Sequence, residues 1–322
     1  MALEQSAPTS WGYKLQNLPR PLIYFLLIVA ATIPQFFTVK LPDIPSDEAI
    51  DLYATLETVP DGSTVLLSSD WTNSTRAESR AEFDAVVRIL MRKHVKFVEF
   101  SVADAAAPQV AKDEMAVLND EQRAHHEPTY DEWKDWVDAG FFPSAEATAI
   151  SLAGNVKATF QGHRDTTPDG QSADITTSPV LQNIATLHDI PLFIDVTGSS
   201  TSTIYIQRIS SKVKMAFLVT GVMGPELVPY YASGQVKGLS KGLRGVFDLE
   251  TVMDTGINVK GPDGTVTLAS SKVPAEIPAS PGRNAGQGTT YSFALHITLL
   301  LLILAIVVGN VGMFMSRKEK KS

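Results

Sequence analysis

The 322-residue chain has no cysteine, which removes disulfides, thiolate metal sites and thiol nucleophiles together. That absence assigns no compartment, because a domain of this size has core enough to fold without a cross-link. The glycine signatures of nucleotide sites are missing as well: neither G-x-G-x-x-G nor G-x-x-x-x-G-K-[ST] occurs. There is no S-x-x-K placed to activate a serine and no H-E-x-x-H. A basic surplus is lacking too: 27 Lys and Arg stand against 35 Asp and Glu, a net charge of −8. Phosphate backbones need the opposite balance, which disfavours nucleic-acid partners.

Charge is also missing from two segments, "PLIYFLLIVAATIPQFFTV" (Pro21–Val39) and "YSFALHITLLLLILAIVVGNVGMFM" (Tyr291–Met315). About 20 apolar residues cross a hydrocarbon core of about 30 Å. The second segment is long enough with tilt and the first is marginal. The alternative for the first is a cleaved signal peptide. Lys14 and Arg20 precede it, however, and "PQFFTVKLPDIP" lacks a small-x-small cleavage pattern, which favours a retained anchor. Lys and Arg resist translocation, and the tails carry Lys14 and Arg20 at one end and Arg317, Lys318, Lys320 and Lys321 at the other. Both termini are therefore expected in the cytoplasm, with the acidic middle segment in the periplasm or outside the cell and the spans in a plasma or inner membrane. The lipid bilayer is then an obligatory partner.

Between the spans, short apolar runs alternate with helical spacing. "STVLLSSDW", "KFVEFSV", "IPLFIDVTG", "STIYIQRI" and "KMAFLVT" are rich in branched and aromatic residues and predict strands. Phe83, Val86, Val87, Leu90 and Met91 recur with the period of an amphipathic helix. Further helices are expected in "DEAIDLYATLETV", "DEMAVLNDEQRAHH", "YDEWKDWVDAG", "EATAISLAG" and "SPVLQNIATLHD", the last capped by Ser178 with Pro179 in its first turn. Alternation of this kind predicts an α/β domain: an open, mostly parallel sheet with helices on both faces, three-layered, Rossmann-like or flavodoxin-like, flanked by two transmembrane helices. The expected organisation is a tail at 1–20, a span at 21–39, a linker and short helix at 40–60 and the α/β domain at 61–254. A β-hairpin around "GPDG" at 255–268, a Pro/Gly/Ser-rich linker at 269–290, the second span at 291–315 and a basic tail at 316–322 follow.

The stretch Gly221–Glu250 holds six glycines. Gly234, Gly238 and Gly242 fall four apart, so on a helix they form one bare stripe. Glycine costs about 1 kcal/mol against alanine inside a helix, and the usual offset is close approach of another backbone. A protein contact is therefore expected there. A small-ligand loop is the alternative, because "LVTGVMGPELVPYY" lies where a strand of an open sheet ends. The order "GPELVPYY", "SGQVKGL", "GLRG" and then an acidic residue resembles uncharacterised membrane-anchored proteins with one extracytoplasmic α/β domain. The resemblance is confined to this stretch and implies an architecture without an activity.

Other chemistry-bearing residues have plainer readings. His125, His126 and Glu127 fit a solvated turn, and His163, Asp165 and Asp169 a polar loop. Asp70 and Asp195 lie at predicted strand ends, where they could converge without catalytic work. Trp133, Trp136, Phe141 and Phe142 fit core packing or a protein contact better than a membrane face, given their acidic neighbours. Asn73 opens an N-x-[ST] glycosylation pattern. Within the second span, Asn310 between Gly309 and Gly312 fits a helix-packing patch, and His296 lies near the interface.

The cytoplasmic tails are too short for an output domain, and two spans make no transport path. The expected function is a membrane-anchored accessory or scaffold subunit. It assembles with integral membrane protein subunits or its own copies through Gly234, Gly238, Gly242 and Asn310. The alternative is a tethered ligand-binding domain with its site at Asp70, Thr197, Gly221, Glu226 and Tyr230, and an extracytoplasmic hydrolase-like enzyme ranks last. No catalytic residue, metal site or cofactor is expected.

Overall fold

The computed structural model describes residues 11–37, 39, 44–258 and 273–319. Helices α1 (Trp11–Gln16), α2 (Arg20–Thr32) and a 3₁₀ turn (Ile33–Phe36) lead to α3 (Asp47–Glu57). Then come β1 (Thr64–Asp70), α4 (Arg76–Arg92), β2 (Lys96–Ser101), α5 (Ala107–Ala124) and β3 (Trp136–Phe141). An excursion of α6 (Ala145–Gly154), α7 (Val156–Phe160), β4 (Arg164–Thr166) and β5 (Ser172–Asp174) precedes β6 (Phe193–Thr197). The domain continues through α8 (Thr201–Ile209), β7 (Met215–Val219), α9 (Gly224–Ala232), β8 (Gly238–Lys241) and α10 (Gly242–Thr255). Short strands β9 (Ile257–Asn258) and β10 (Glu276–Ile277) and the long helix α11 (Gln287–Glu319) complete the chain.

Six strands form one parallel sheet in the order β3-β2-β1-β6-β7-β8. Counted along the chain this is 3-2-1-4-5-6, the Rossmann order, with its reversal between β1 and β6. The sequence allowed a flavodoxin-like order equally, and the strand pairing decides. The central strands β1, β2, β6 and β7 are buried on both faces. One core lies between the sheet and α3, α4, α5 and α10, around Leu67, Phe97 and Leu218. The other lies under α6 to α9, around Phe100, Phe193 and Phe217. Both edges of the sheet are guarded: α3 crosses β8, and at β3 the Asp138 N–H donates to the Asp165 carboxylate at 2.9 Å.

Several sequence expectations need correction. "STIYIQRI" is helical, because Ser202, Tyr205, Ile206 and Ile209 bury one face at helical spacing. "YDEWKDWVDAG" is not a helix ending at Gly140: Trp136 opens β3 and stacks on Phe97 at 5.8 Å. The capped helix at Ser178 is absent; Val180, Leu181, Ile184 and Leu187 enter the second core from irregular chain and a short 3₁₀ turn.

The glycine stripe is corrected too. Gly234 ends α9 in the left-handed region (φ 79°), Gly238 opens β8, and Gly242 starts α10 at φ 59°. What survives is close approach at one position: a Cβ on Gly238 would lie 2.3 Å from the Leu52 Cα. The contact is internal, between β8 and α3, and Gly238 and Gly242 are buried in the domain.

Most of the hairpin expected at 255–268 lies outside the described residues, and its first strand, β9, pairs instead with β10. The supposed linker from 269 is, in its described part, a strap docked on the domain. Tyr53 Oη donates to Pro278 O at 2.8 Å, and Asn284 Nδ2 to Met253 O at 3.1 Å. The buried Arg92 joins Ser280, Asn284 and the Arg283 carbonyl to Glu127.

The terminal segments, Met1–Leu41 with Thr289–Ser322, form a unit of their own apart from Pro42–Gly288. Among the described residues one helix is long and apolar enough to cross a membrane, within Gln287–Arg317. The first expected span is shorter than a full crossing helix: α2 gives way to the 3₁₀ turn at Ile33, where Pro34 follows. The two segments pack antiparallel: Ile23, Leu26 and Leu27 face Leu301, Leu302 and Ala305, and Gly12 lies against Ser316.

Candidate functional site

In an open parallel sheet, ligands favour the carboxyl ends of the strands where the order reverses. Here that point lies between the turn after β1 and the turn after β6. Asp70, the last residue of β1, is only 3% exposed. Its Oδ1 accepts from Ser101 Oγ at 2.7 Å and from the N–H groups of Val102 (2.8 Å) and Ala103 (3.2 Å). Its Oδ2 accepts from Thr201 Oγ1 at 2.9 Å, at the start of α8. Burial pushes the carboxyl above its ordinary range and these four donors pull against that shift. Asp70 thus ties together the turns after β1, β2 and β6.

The crevice itself is occupied by the chain. A Cβ on Gly198 would lie 2.6 Å from Thr75 Cγ2, so the turn before α4 packs against the turn before α8. Hydroxyls of Thr197, Ser199 and Thr201 bond to one another there, and Thr197 Oγ1 donates to Asp70 O at 3.3 Å. Asp195, below Asp70, is fully buried, accepts from Ser202 Oγ at 3.0 Å and is raised well above the usual carboxylate range by burial, with the Asp70 charge adding to it.

The candidates named from the sequence do not form one constellation. Asp70 and Thr197 meet as register partners at the crevice. Gly221 follows β7 and donates its N–H to Glu78 Oε2 at 2.7 Å. Glu226 is exposed in the first turn of α9. Tyr230 lies further down α9, packs on the second core and belongs to the opposite end of the sheet. Ser101, Thr201 and Glu78 were not singled out, since a lone hydroxyl or acid carries no spacing signal.

A second polar group lies on β2 and β3. Glu99 and Asp138 are register partners, and Glu99 is fully buried. Burial, then the Asp138 charge, holds Glu99 well above its ordinary range. Lys112 reaches both Glu132 and Asp165. Burial first, then the Asp165 carboxyl, raises Glu132 to about 7. Among the described residues no set of three His, Asp or Glu is arranged to hold a metal ion. His163 Nδ1 pairs with Ala139 O at 2.6 Å and stacks on Phe142, and His125 and Glu127 seat the strap residue Arg283.

Open clefts lie at the other end, where β7 and β8 begin. Adjoining hollows of about 350, 340 and 520 Å³ share Lys214. Compared with models of known protein families, with curated proteins and with solved structures, the chain has no match.

Proposed function

We propose that this chain is a membrane-anchored accessory or scaffold subunit, which presents its α/β domain beside other membrane proteins or its own copies. In this reading α11 crosses the bilayer, α2 and the following 3₁₀ turn return alongside it, and both basic tails lie in the cytoplasm. The observation that carries the reading is Asn310. It lies exposed on α11 among Ile306, Val307 and Val311, and its amide makes no hydrogen bond among the described residues. A Cβ on the adjacent Gly309 would meet nothing within 4 Å. A polar amide and a bare glycine on a lipid-facing surface fit a neighbouring helix better than lipid, because polar groups in hydrocarbon seek partners.

The packing of Thr75 on Gly198 and the hydroxyl network at the crevice support the same reading over a cofactor-binding domain. The chain has no cysteine, so Asn310→Cys gives a single thiol. Oxidative cross-linking in native membranes should yield a discrete adduct, either of twice the chain's mass or with a distinct membrane protein. Thiols that remain monomeric and react fully with a lipid-soluble maleimide would contradict the proposal.

A further inference from the structure

The surface of α11 turned away from α2 has a spacing of its own. His296, Leu299, Ile303, Ile306 and Asn310 are all exposed. They follow one another at alternating intervals of three and four, so at 3.6 residues per turn they fall within about 40° of Asn310 along one side of the helix. Leu301, Ala305 and Val308 lie about 140–180° from Asn310 on the same helix, and they line the hollow against Ile23, Leu26 and Leu27 of α2. One side of α11 is thus covered by its own chain and the opposite side is not. Alternating intervals of three and four are the heptad seam of paired helices. Leu299 and Ile306 take its d positions, and His296, Ile303 and Asn310 its a positions. A single asparagine at a fixes register and pairing between parallel helices. His296 Nδ1 is already paired with Ser292 O at 2.7 Å, whereas the Asn310 amide has no partner among the described residues.

We infer that α11 pairs with α11 of a second copy as a parallel two-stranded coil, the two Asn310 amides hydrogen-bonded to each other; this deepens the membrane-anchored scaffold reading and rests on it. A carboxamide carries donors and an acceptor, so two of them face to face satisfy each other. Copies inserted in one membrane share an orientation, and a twofold axis then sets each seam residue against its like. Ile303 at a with Leu299 at d is the combination that favours two strands, with Ile306 the one departure from it.

The chain has no cysteine, so single cysteines can scan the helix in the full-length protein in its native membrane. Under copper-catalysed oxidation Leu299→Cys, Ile303→Cys, Ile306→Cys and Asn310→Cys should form covalent dimers, while Leu301→Cys, Ala305→Cys and Val308→Cys stay largely monomeric. Two differently tagged copies, co-expressed and extracted in mild detergent, should co-purify. Asn310→Leu in both should lower the co-purified fraction about threefold or more, and Asn310→Gln, which keeps an amide, should lower it less. Equal cross-linking at every position, co-purification unchanged by Asn310→Leu, or an intact mass of three copies would overturn the inference. An Asn310→Cys adduct with a distinct membrane protein, without co-purification of the copies, would overturn it and leave the scaffold reading standing. No adduct at any position would remove both.

Discussion

At the carboxyl edge of the sheet, Asp70 at the end of β1 collects four donors from the turns after β2 and β6. At the amino edge, one Asp51 oxygen has no donor among the described residues, on a helix that borders a cleft of about 350 Å³. Both carboxylates are nearly inaccessible, yet one is satisfied by its own chain and the other is not. The usual rule for open α/β sheets puts ligands at the carboxyl edge. Here the strand order obeys the rule while the side chains fill the place it points to. A fold therefore locates a crevice, and only the residues lining it decide whether anything else fits there.

The largest expected break in this contrast is Asp70→Ala. It strands two hydroxyls and two backbone N–H groups at a buried position, and unsatisfied buried groups cost about 1–3 kcal/mol each. A loss of about 3 kcal/mol or more in urea unfolding is expected, with Asp70→Asn much milder because its amide keeps one acceptor. Equal stability of Asp70→Ala and the parent would mean that the turns are not held by this carboxylate.

A smaller change tests whether the crevice is closed by packing. Gly198→Ala places a methyl 2.6 Å from Thr75 Cγ2, and overpacking costs about 1–3 kcal/mol. Thr75→Ala in the same chain removes the obstructing methyl, so the pair should recover most of the loss. Strict additivity of the two changes would show that the turns do not touch.

The smallest expected effect concerns pH. Glu132 has its folded-state pKa raised from 4.5 to about 7 by burial and then by Asp165, with Lys112 opposing. The folded state then holds a proton that the unfolded chain releases, so this stability is present below about pH 4.5 and lost as pH rises through about 7. Glu132→Gln should flatten the dependence of the urea midpoint on pH across that window. The opposite slope, with stability rising toward pH 7 and flattened by the same substitution, would reverse the assignment of the proton.

Much of the sheet was legible in the sequence, because branched and aromatic residues cluster in β1, β2, β6 and β7 and α4 keeps its period over 17 residues. The errors fell where composition and environment disagree. "STIYIQRI" carries branched residues that favour strands locally, but its burial pattern is helical, and packing prevailed over propensity. "DWVDAG" lies on the edge strand β3, where acidic side chains stay partly solvated and break the apolar run. Gly234, Gly238 and Gly242 share a spacing of four, yet each serves a different backbone need: a helix end, a close approach and a left-handed start. Of the candidate site, the strand-end Asp70 and Thr197 were readable from position alone. Ser101 and Thr201 were not, because their partnership with Asp70 spans 31 and 131 residues. The cleft at Asp51 was invisible for the same reason, since it is assembled from α3 and from the starts of β7 and β8.

The central claim, a membrane-anchored subunit that assembles through Asn310, is tested most directly by the intact mass of the full-length protein. The protein would be extracted from its native membrane in mild detergent and measured beside Asn310→Leu. The account predicts a stoichiometric complex, with a second copy or a distinct membrane protein, that the substitution dissociates. A monomer in both samples, or a complex unaffected by Asn310→Leu, would contradict it.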